Sequence, residues 1–257
     1  MPDAIVGYTG FVGSNLVRQT HFDDFYNSKN IENIGGKTYD LLVCSCAPAE
    51  KWRVNKEPLR DLENLNRLTG CLSKVHAHKV ILISTVDIYP TPIGVDEGTT
   101  IDPDLCHPYG KHRLELERFV ADHFDALIVR LPGLFGNRLK KNIIYDFLHN
   151  NSDYLKQVHA DSIFQFYHLD NLWRDIQISL SHHLELVNFA TEPTSVYEIA
   201  RDGFGFEFNN RPQTNPVNYN FRSRYAHLFG GSDGYLYDKQ QVLLALKGFI
   251  KSWQGNK

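Results

Sequence analysis

The stretch IVGYTGFVGSNL, residues 5–16, places Gly7, Gly10 and Gly13 at equal spacing. An apolar run precedes the glycines and an amphipathic run follows them, which predicts a strand, a glycine turn and a helix. In that context the first glycine permits the turn, the second lets a pyrophosphate approach the backbone, and the third lets the helix pack against the strand. The helix start offers free N–H groups. We therefore expect a dinucleotide at Gly7, Gly10, Phe11, Val12 and Gly13; a turn needed for packing alone is the alternative.

Composition and charge exclude several classes of protein. The chain has 257 residues, 42% hydrophobic and 22% charged, which is ordinary for a globular protein with one large core. A net charge of −3 gives no basic field that would attract nucleic acid or an anionic membrane. No apolar run approaches the roughly 20 residues of a membrane helix, and residues 1–10 lack the features of a secretory signal. We expect a cytoplasmic protein with neither nucleic-acid nor membrane partners.

The cysteines and histidines do not predict a metal site. Cys44 and Cys46 form a Cys-x-Cys pair within an apolar stretch, but no second ligand pair of suitable spacing is near. Reduced cysteines packed beside a strand are the simpler interpretation. The histidine pairs at 76/78 and 182/183 also lack cysteine or carboxylate partners at ligand spacing. We expect no metal.

Strands and helices alternate in the first half of the chain. The patterns predict strands at 4–9, 24–31, 39–48, 78–89 and 125–136, and helices at 11–21, 58–75 and 109–123. In the helix at 58–75 we expect one apolar face formed by Leu59, Leu62, Leu65 and Leu68. Alternating elements predict an α/β fold with a doubly wound, Rossmann-like parallel sheet. The continuously apolar strands predict a sheet covered on both faces.

The second half of the chain loses this alternation and becomes richer in Tyr, Phe, Asn and Pro. Strand-to-helix units are predicted at 162–180 and 192–205, and a terminal amphipathic helix at 238–253. We therefore expect a dinucleotide-binding domain at 1–140. Residues 141–257 are expected to form a smaller C-terminal substrate-binding lobe, interleaved with the sheet domain.

The motifs together resemble a known family. The Gly-x-x-Gly-x-x-Gly spacing is the form found in extended short-chain dehydrogenases/reductases, which include nucleotide-sugar epimerases, dehydratases and reductases. Further segments that are similar to this family follow in its order: LLVCSCAP, EPLRDLENLNRL, VILISTVDIY, HPYGKHRLELE, RLPGLFG, FQFYHLDNLWRDI, VNFATEPTSVYEIA and RSRYAHLFGG. The resemblance implies an NAD(P)-dependent oxidoreductase or epimerase that acts on a nucleotide-linked sugar, and it leaves room for a homodimer.

The resemblance assigns catalytic roles to three residues. Tyr109 corresponds to the tyrosine that donates or accepts a proton during hydride transfer, and Thr85 to the hydroxyl that orients the substrate oxygen. A nearby positive charge lowers a tyrosine pKa by stabilising the phenolate. The family carries a lysine four residues after its tyrosine, where this chain has Arg113. Arginine keeps the charge and can reach a ribose hydroxyl, but it cannot relay a proton.

The remaining site predictions concern the cofactor and the substrate. Asn27, Ser28 and Lys29 follow the predicted second strand, where NAD-binding proteins usually carry an acid, so NADP is favoured and NAD is the alternative. The resemblance extends the cofactor site to a group of three residues: Ala47, Asn64 and Pro132. It also implies a set of substrate-binding residues: Trp52, Asp87, Asn142, Arg211 and Arg224. The two arginines would bind a diphosphate; the alternative is that they are solvated or paired with acidic side chains. For Asp87 the alternative is a loop aspartate that caps the following turn.

Two functions remain open from the sequence. Thr85 and Tyr109 favour an enzyme, whereas Arg113 favours a non-catalytic dinucleotide sensor or scaffold built on the same fold.

Overall fold

The computed structural model describes residues 1–46 and 51–255. The strands are β1 (Ala4–Val6), β2 (Asp24–Tyr26), β3 (Thr38–Cys44), β4 (His76–Thr85), β5 (Ala126–Leu131), β6 (Gly133–Phe135), β7 (Ile163–Phe164), β8 (Phe166–His168), β9 (Leu186–Asn188) and β10 (Thr194–Ser195). The α-helices are α1 (Phe11–Leu16), α2 (Lys51–Lys56), α3 (Pro58–Leu72), α4 (Pro108–His123), α5 (Ile143–Leu148), α6 (Ser152–Leu155), α7 (Leu172–Ser181), α8 (Val196–Glu198) and α9 (Lys239–Gly255).

Within the described residues, six strands form one sheet in the order β2-β1-β3-β4-β5-β9, and every pair is parallel. Ala4 of β1 pairs with Asp24 on one side and with Leu42 on the other. The strand order therefore reverses between β1 and β3. Open parallel sheets bind ligands at the carboxyl ends of the strands beside such a reversal. The predicted doubly wound parallel sheet is confirmed.

Both faces of the sheet are covered, because every residue of β5 is buried. On one face α3 and α4 contribute a group of apolar side chains to the core, namely Leu65, Leu68, Leu72, Leu116 and Val120. Each fully buried side chain of this kind is worth about 1.5–3 kcal/mol of hydrophobic stabilisation. This packing fixes α4, the helix that carries Tyr109, against the sheet.

The predicted apolar face of α3 is wrong in its first turn. Leu59 is 75% exposed, whereas Asp61 is only 4% exposed and shares the buried face with Leu65. The physical reason is the helix period: steps of three residues drift by about 60° each, so Leu59 and Leu68 point in nearly opposite directions. The buried face of α3 instead consists of Asp61, Leu65, Leu68 and Leu72, which are spaced four, three and four residues apart.

Several predicted elements are shorter in the structure. β1 ends at Val6 because Gly7 adopts φ +91°, and α1 ends at Leu16. The predicted strand at 125–136 is divided at Pro132 into β5 and β6, and β6 pairs with β8 in a separate sheet. Proline has no N–H to give to a ladder, which explains why the strand is interrupted there.

The chain divides into two compact units. The sheet unit comprises residues 1–91, 98–131 and 172–188, so α7 and β9 return to the sheet and β9 pairs with β5. The second unit comprises residues 92–97, 132–171 and 189–257. It contains two small sheets, β6 with β8 and β7 with β10, and α9. Buried Gln165 is central to this unit, because its side chain bonds the backbone of Thr191 (2.6 Å) and Phe221 (2.9 Å).

Two features are absent from the described part of the chain. Along the ranges 1–46 and 51–255, no helix is long and apolar enough to cross a membrane. In the same ranges, no group of three or more histidine, cysteine or acidic side chains is placed to hold a metal ion.

Candidate active site

The turn after β1 can pack as it does only with glycine at positions 7 and 13. At Gly7 the backbone has φ +91°, and an added Cβ would lie 2.5 Å from the carbonyl oxygen of Ser45 at the end of β3. At Gly13 an added Cβ would lie 2.7 Å from the carbonyl carbon of Gly7 and closer still to its oxygen. Both positions therefore let α1 and β3 approach the turn, which is a packing requirement.

Gly10 is different. Its φ is −74°, which any residue can adopt, and an added Cβ would meet only the carbonyl oxygen of Gly7, at 3.2 Å. The amide groups of Phe11, Val12 and Gly13 begin α1, where N–H groups have no partner within the helix. This contact is tight, but it is looser than those at Gly7 and Gly13, so packing restricts position 10 less than the other two. A pyrophosphate beside Gly10 and the amides that begin α1 stays a prediction.

The predicted cofactor residues after β2 form a tight turn. Asn27 accepts a hydrogen bond from the amide of Lys29 at 2.9 Å, and the side chains of Ser28 and Lys29 are exposed. Arg67 of α3 donates to the carbonyl oxygen of Ser28 at 3.0 Å and pairs with Glu32. Sequence reasoning missed Arg67, which adds a second cation to the end of β2.

Thr85 and Tyr109 lie together in the sheet unit. Thr85 is the last residue of β4, and its hydroxyl accepts a hydrogen bond from the amide of Asp87 at 3.1 Å. Tyr109 lies in the first turn of α4, is 6% exposed, and donates its amide proton to Asn55 of α2 at 3.0 Å. The Thr85 hydroxyl is also close enough to the phenol of Tyr109 to lower its pKa slightly. The predicted pair is therefore brought together at the carboxyl end of a central strand.

Arg113 lies one turn further along α4 and is 2% exposed. Its guanidinium carbon is 4.7 Å from the centre of the Tyr109 ring, over the ring face. Its two terminal nitrogens bind both oxygens of Asp61 on α3, with Nη1–Oδ2 at 2.9 Å and Nη2–Oδ1 at 3.1 Å. His112 adds a third contact to Asp61, at 2.8 Å from Nδ1 to Oδ2. The charge beside Tyr109 is thus half of a buried ion pair.

Burial and charge act in opposite directions on two pKa values here. Burial raises the pKa of Asp61, but Arg113 and His112 more than offset this, so the pKa lies below its usual range. Burial also raises the pKa of Tyr109, and the opposing effects of Arg113 and Thr85 do not reverse that increase. Tyr109 is therefore a protonated phenol at neutral pH, rather than a phenolate.

The start of α4 is capped by a histidine. His107 accepts the amide proton of Gly110 at its Nδ1, at 3.1 Å, so this nitrogen must be unprotonated. Burial and the neighbouring Lys51 lower the pKa of His107, which keeps the imidazole neutral. Lys51 of α2 in turn pairs with Asp87 at 2.8 Å. The predicted substrate residue Asp87 therefore lies in a charged cluster beside the start of α4.

A second buried ion pair fixes the same helix. Glu117 lies four residues after Arg113 on α4 and binds Arg130 of β5, with Nη2–Oε2 at 2.6 Å. Glu117 also accepts a hydrogen bond from Ser84, the residue before Thr85. Arg130 donates to the hydroxyl of Tyr89 at 2.8 Å. One face of α4 is thereby tied to both β4 and β5, which limits movement of Tyr109 relative to Thr85.

Two further predicted residues of the sheet unit, Trp52 and Asn64, are largely exposed to solvent. Trp52 on α2 is 68% exposed, and Asn64 on α3 is exposed. Ala47 lies outside the described residues. The cofactor and substrate assignments of these residues stay predictions.

The second unit holds the other predicted ligand-binding residues. Asn142 has φ +123°, a strained value for a residue with a side chain, and it caps α5 while donating to the carbonyl oxygen of Leu134 at 2.8 Å. Arg211 pairs with Asp161 at 2.9 Å, and Arg224 pairs with Asp96 at 3.0 Å. A diphosphate at either arginine would compete with a carboxylate. Pro132 follows β5 and is half-buried.

Sequence reasoning missed a group of residues around Tyr109: Lys51, Asn55, Asp61 and His107. Asp61 carried a usable signal, because it precedes Leu65, Leu68 and Leu72 at helical spacing. A carboxylate on the buried face of a helix is expected to pair with a buried cation, and Arg113 is that cation. The other three gave no signal, because their roles depend on how α2 and α4 pack.

Comparisons with known proteins identify similar folds. No protein-family model matches the chain, and no curated protein does. A dTDP-4-dehydrorhamnose reductase from Clostridium acetobutylicum has 17% identity and a TM-score of 0.73, covering 99% of this chain and 100% of its own. An NAD-dependent NDP-hexosamine 5,6-dehydratase involved in tunicamycin biosynthesis has 17% identity and a TM-score of 0.74, covering 98% and 97%. A UDP-N-acetylglucosamine 4-epimerase from Methanobrevibacter ruminantium has 16% identity and a TM-score of 0.72, covering both chains fully.

These identities are low, so the likeness establishes the fold and leaves the reaction open. It extends over nearly the whole length of each chain, including the second unit. The chain has the Rossmann-like α/β fold of these three structures.

Proposed function

We propose that the protein is an NAD(P)-dependent oxidoreductase that reduces a carbonyl group of a nucleotide-linked sugar, with Tyr109 as the proton donor. The observation that carries this proposal is the proximity of Thr85, at the carboxyl end of β4, to the buried phenol of Tyr109, whose pKa is raised. The pair belongs to the same sheet unit as the glycine turn, and carboxyl strand ends are where open parallel sheets bind ligands.

The residues divide the chemistry as follows. When bound, NAD(P)H supplies the hydride for the carbonyl carbon. Tyr109 donates its phenolic proton to the carbonyl oxygen as charge develops there, and Thr85 orients the same oxygen through its hydroxyl. Arg113, over the ring face, stabilises the phenolate that remains. A raised tyrosine pKa suits a residue that donates a proton to a carbonyl oxygen. Oxidation of an alcohol would instead need the phenolate, which removes the hydroxyl proton while the oxidised cofactor takes the hydride.

Cofactor and substrate are proposed from the residues and from the similar structures. Gly7, Gly10 and Gly13 would hold the pyrophosphate, and exposed Ser28 and Lys29 would receive a 2′-phosphate, which favours NADP. Solved structures of this fold were determined with NADPH and with NAD. The reductase, the dehydratase and the epimerase named above support a nucleotide sugar as substrate. A cytoplasmic location and a homodimer stay predictions.

One observation favours the second candidate, a dinucleotide sensor. Arg113 replaces the family's usual lysine, and two of its nitrogens are bound to Asp61. A site that binds a dinucleotide without turnover would tolerate this arrangement.

The test compares Tyr109→Phe, Thr85→Ala and the parent in reduction of nucleotide-linked keto sugars, followed by NAD(P)H absorbance. Loss of a general acid typically lowers the rate by about 10²–10⁴-fold, and we expect that decrease in Tyr109→Phe. Tyr154→Phe serves as the control, because Tyr154 is an exposed tyrosine of the second unit. Parental activity in Tyr109→Phe would exclude this mechanism. Tight NAD(P) binding by a parent that reduces none of the sugars would favour the sensor.

A further inference from the structure

We propose that Asp61 is a positioning residue, which holds Arg113 against the ring face of Tyr109 by a two-point contact and offsets its positive charge. The proposal rests on the proposed function in one respect, since it takes Tyr109 as the proton donor. Asp61 lies on α3, a helix to which the sequence assigned no part of the catalytic pair.

The geometry gives Asp61 control over the orientation of Arg113. Both carboxylate oxygens are engaged by different nitrogens, at 2.9 and 3.1 Å, and both side chains are almost fully buried. A guanidinium is planar, so two parallel contacts to one carboxylate fix its plane as well as its position. A lysine at position 113 would be a point charge with no such plane. The stacking of Arg113 on Tyr109 therefore depends on Asp61.

The charge of the pair is the second part of the inference. Asp61 is ionised, because Arg113 and His112 hold its pKa low, so the pair carries no net charge. Arg113, Asp87 and His107 lie near Tyr109. Each of the first two has a charged partner: Lys51 pairs with Asp87, and Asp61, which also contacts His112, pairs with Arg113. Arg113 favours the phenolate and Asp87 disfavours it. With Asp61 offsetting Arg113, the burial of Tyr109 prevails and the phenol keeps its proton.

The experiment measures the ionisation of Tyr109 directly, in protein without cofactor. Fluorotyrosine replaces tyrosine throughout, since its more acidic phenol titrates where the protein stays folded. The Tyr109 signal in fluorine NMR is assigned by its loss in Tyr109→Phe. The parent, Asp61→Asn and Asp61→Glu are titrated, and the alkaline limb of kcat/KM for sugar reduction is recorded as a second measurement.

In Asp61→Asn the charge of Arg113 is no longer offset, so Tyr109 should ionise about 1–2 pH units lower than in the parent. The alkaline limb of activity should move down with it. Asp61→Glu, which keeps the charge, should ionise close to the parent. Asp24→Asn is the matched control, because it removes an ion-paired carboxylate at the start of β2, and it should leave Tyr109 unchanged. A purely structural role for Asp61 would lower kcat without moving either titration.

Ionisation of Tyr109 at the parental pH in folded Asp61→Asn overturns the proposal. If that variant does not fold, Asp61→Asn/Arg113→Gln is compared with Arg113→Gln, in which His112 still contacts Asp61. Removal of the negative charge of Asp61 should let Tyr109 ionise at a lower pH in the double variant than in Arg113→Gln. An equal or higher value in the double variant contradicts the proposal. The titration needs no turnover, so a parent without reductase activity would refute the proposed function and leave this result intact.

Discussion

Alanine at Gly13 should mainly lower stability, whereas alanine at Gly10 should mainly weaken cofactor binding. At Gly13 the new methyl group would lie 2.7 Å from the carbonyl carbon of Gly7 and 2.7 Å from Oγ of Ser45, so backbone must move. Overpacking of this kind costs about 1–3 kcal/mol, and the better helix propensity of alanine returns up to about 1 kcal/mol. At Gly10 the nearest atom is 3.2 Å away and φ is already −74°. The net change there should stay within about 0.5 kcal/mol.

The main effect of Gly10→Ala should appear in cofactor binding instead of stability. The methyl group of Gly10→Ala occupies the space where a pyrophosphate would approach, and we expect at least about tenfold weaker NAD(P) binding, or about 1.4 kcal/mol. Urea unfolding gives the free energy of unfolding, and calorimetry gives the Kd. Gly70→Ala is the control, because nothing lies within 4 Å of its added Cβ on α3, so affinity should be unchanged. A stable Gly10→Ala variant with the parental Kd would refute the reasoning and leave the turn with a packing role alone.

Two further predictions concern cofactor choice and pH. Calorimetry should show tighter binding of NADPH than of NADH. Lys29→Ala should weaken the binding of NADPH by about tenfold and leave the affinity for NADH unchanged, because only NADPH carries the 2′-phosphate that contacts the lysine. Equal losses of affinity for both cofactors would contradict the assignment. The folded-state pKa of His107 lies below 6.5, so its capping contribution is complete above pH 6.5 and is lost as pH falls through that lower value. Asparagine at position 107 would cap the helix without titrating. The free energy of unfolding of the parent, measured by urea titration, should therefore fall by about 1 kcal/mol relative to that of His107→Asn between about pH 7 and pH 5. If the difference between the two proteins does not change with pH, protonation of the cap is excluded.

The sequence by itself determined the order of the elements and the class of the sheet. Strands and helices are encoded by local periodicity, and the glycine spacing marked the turn after β1 before any packing was known. Thr85 and Tyr109 could be chosen because their segments resemble motifs of a known family, and each lies at the end of a strand or the start of a helix that the pattern predicts. The end of β4 and the start of α4 bring the two side chains close together.

The tertiary structure decided which helix faces meet, and with them the electrostatics of the site. Asp61 and Arg113 are 52 residues apart, and their pairing depends on the rotation of α3 against α4, which no local pattern specifies. The drift of a three-residue spacing around the helix is the reason that Leu59 was misplaced on the buried face and Asp61 was overlooked. The return of α7 and β9 to the sheet is likewise a long-range event. Periodicity is a property of neighbouring residues, whereas burial and charge pairing are properties of the packed chain, so only the fold shows that Tyr109 keeps its proton.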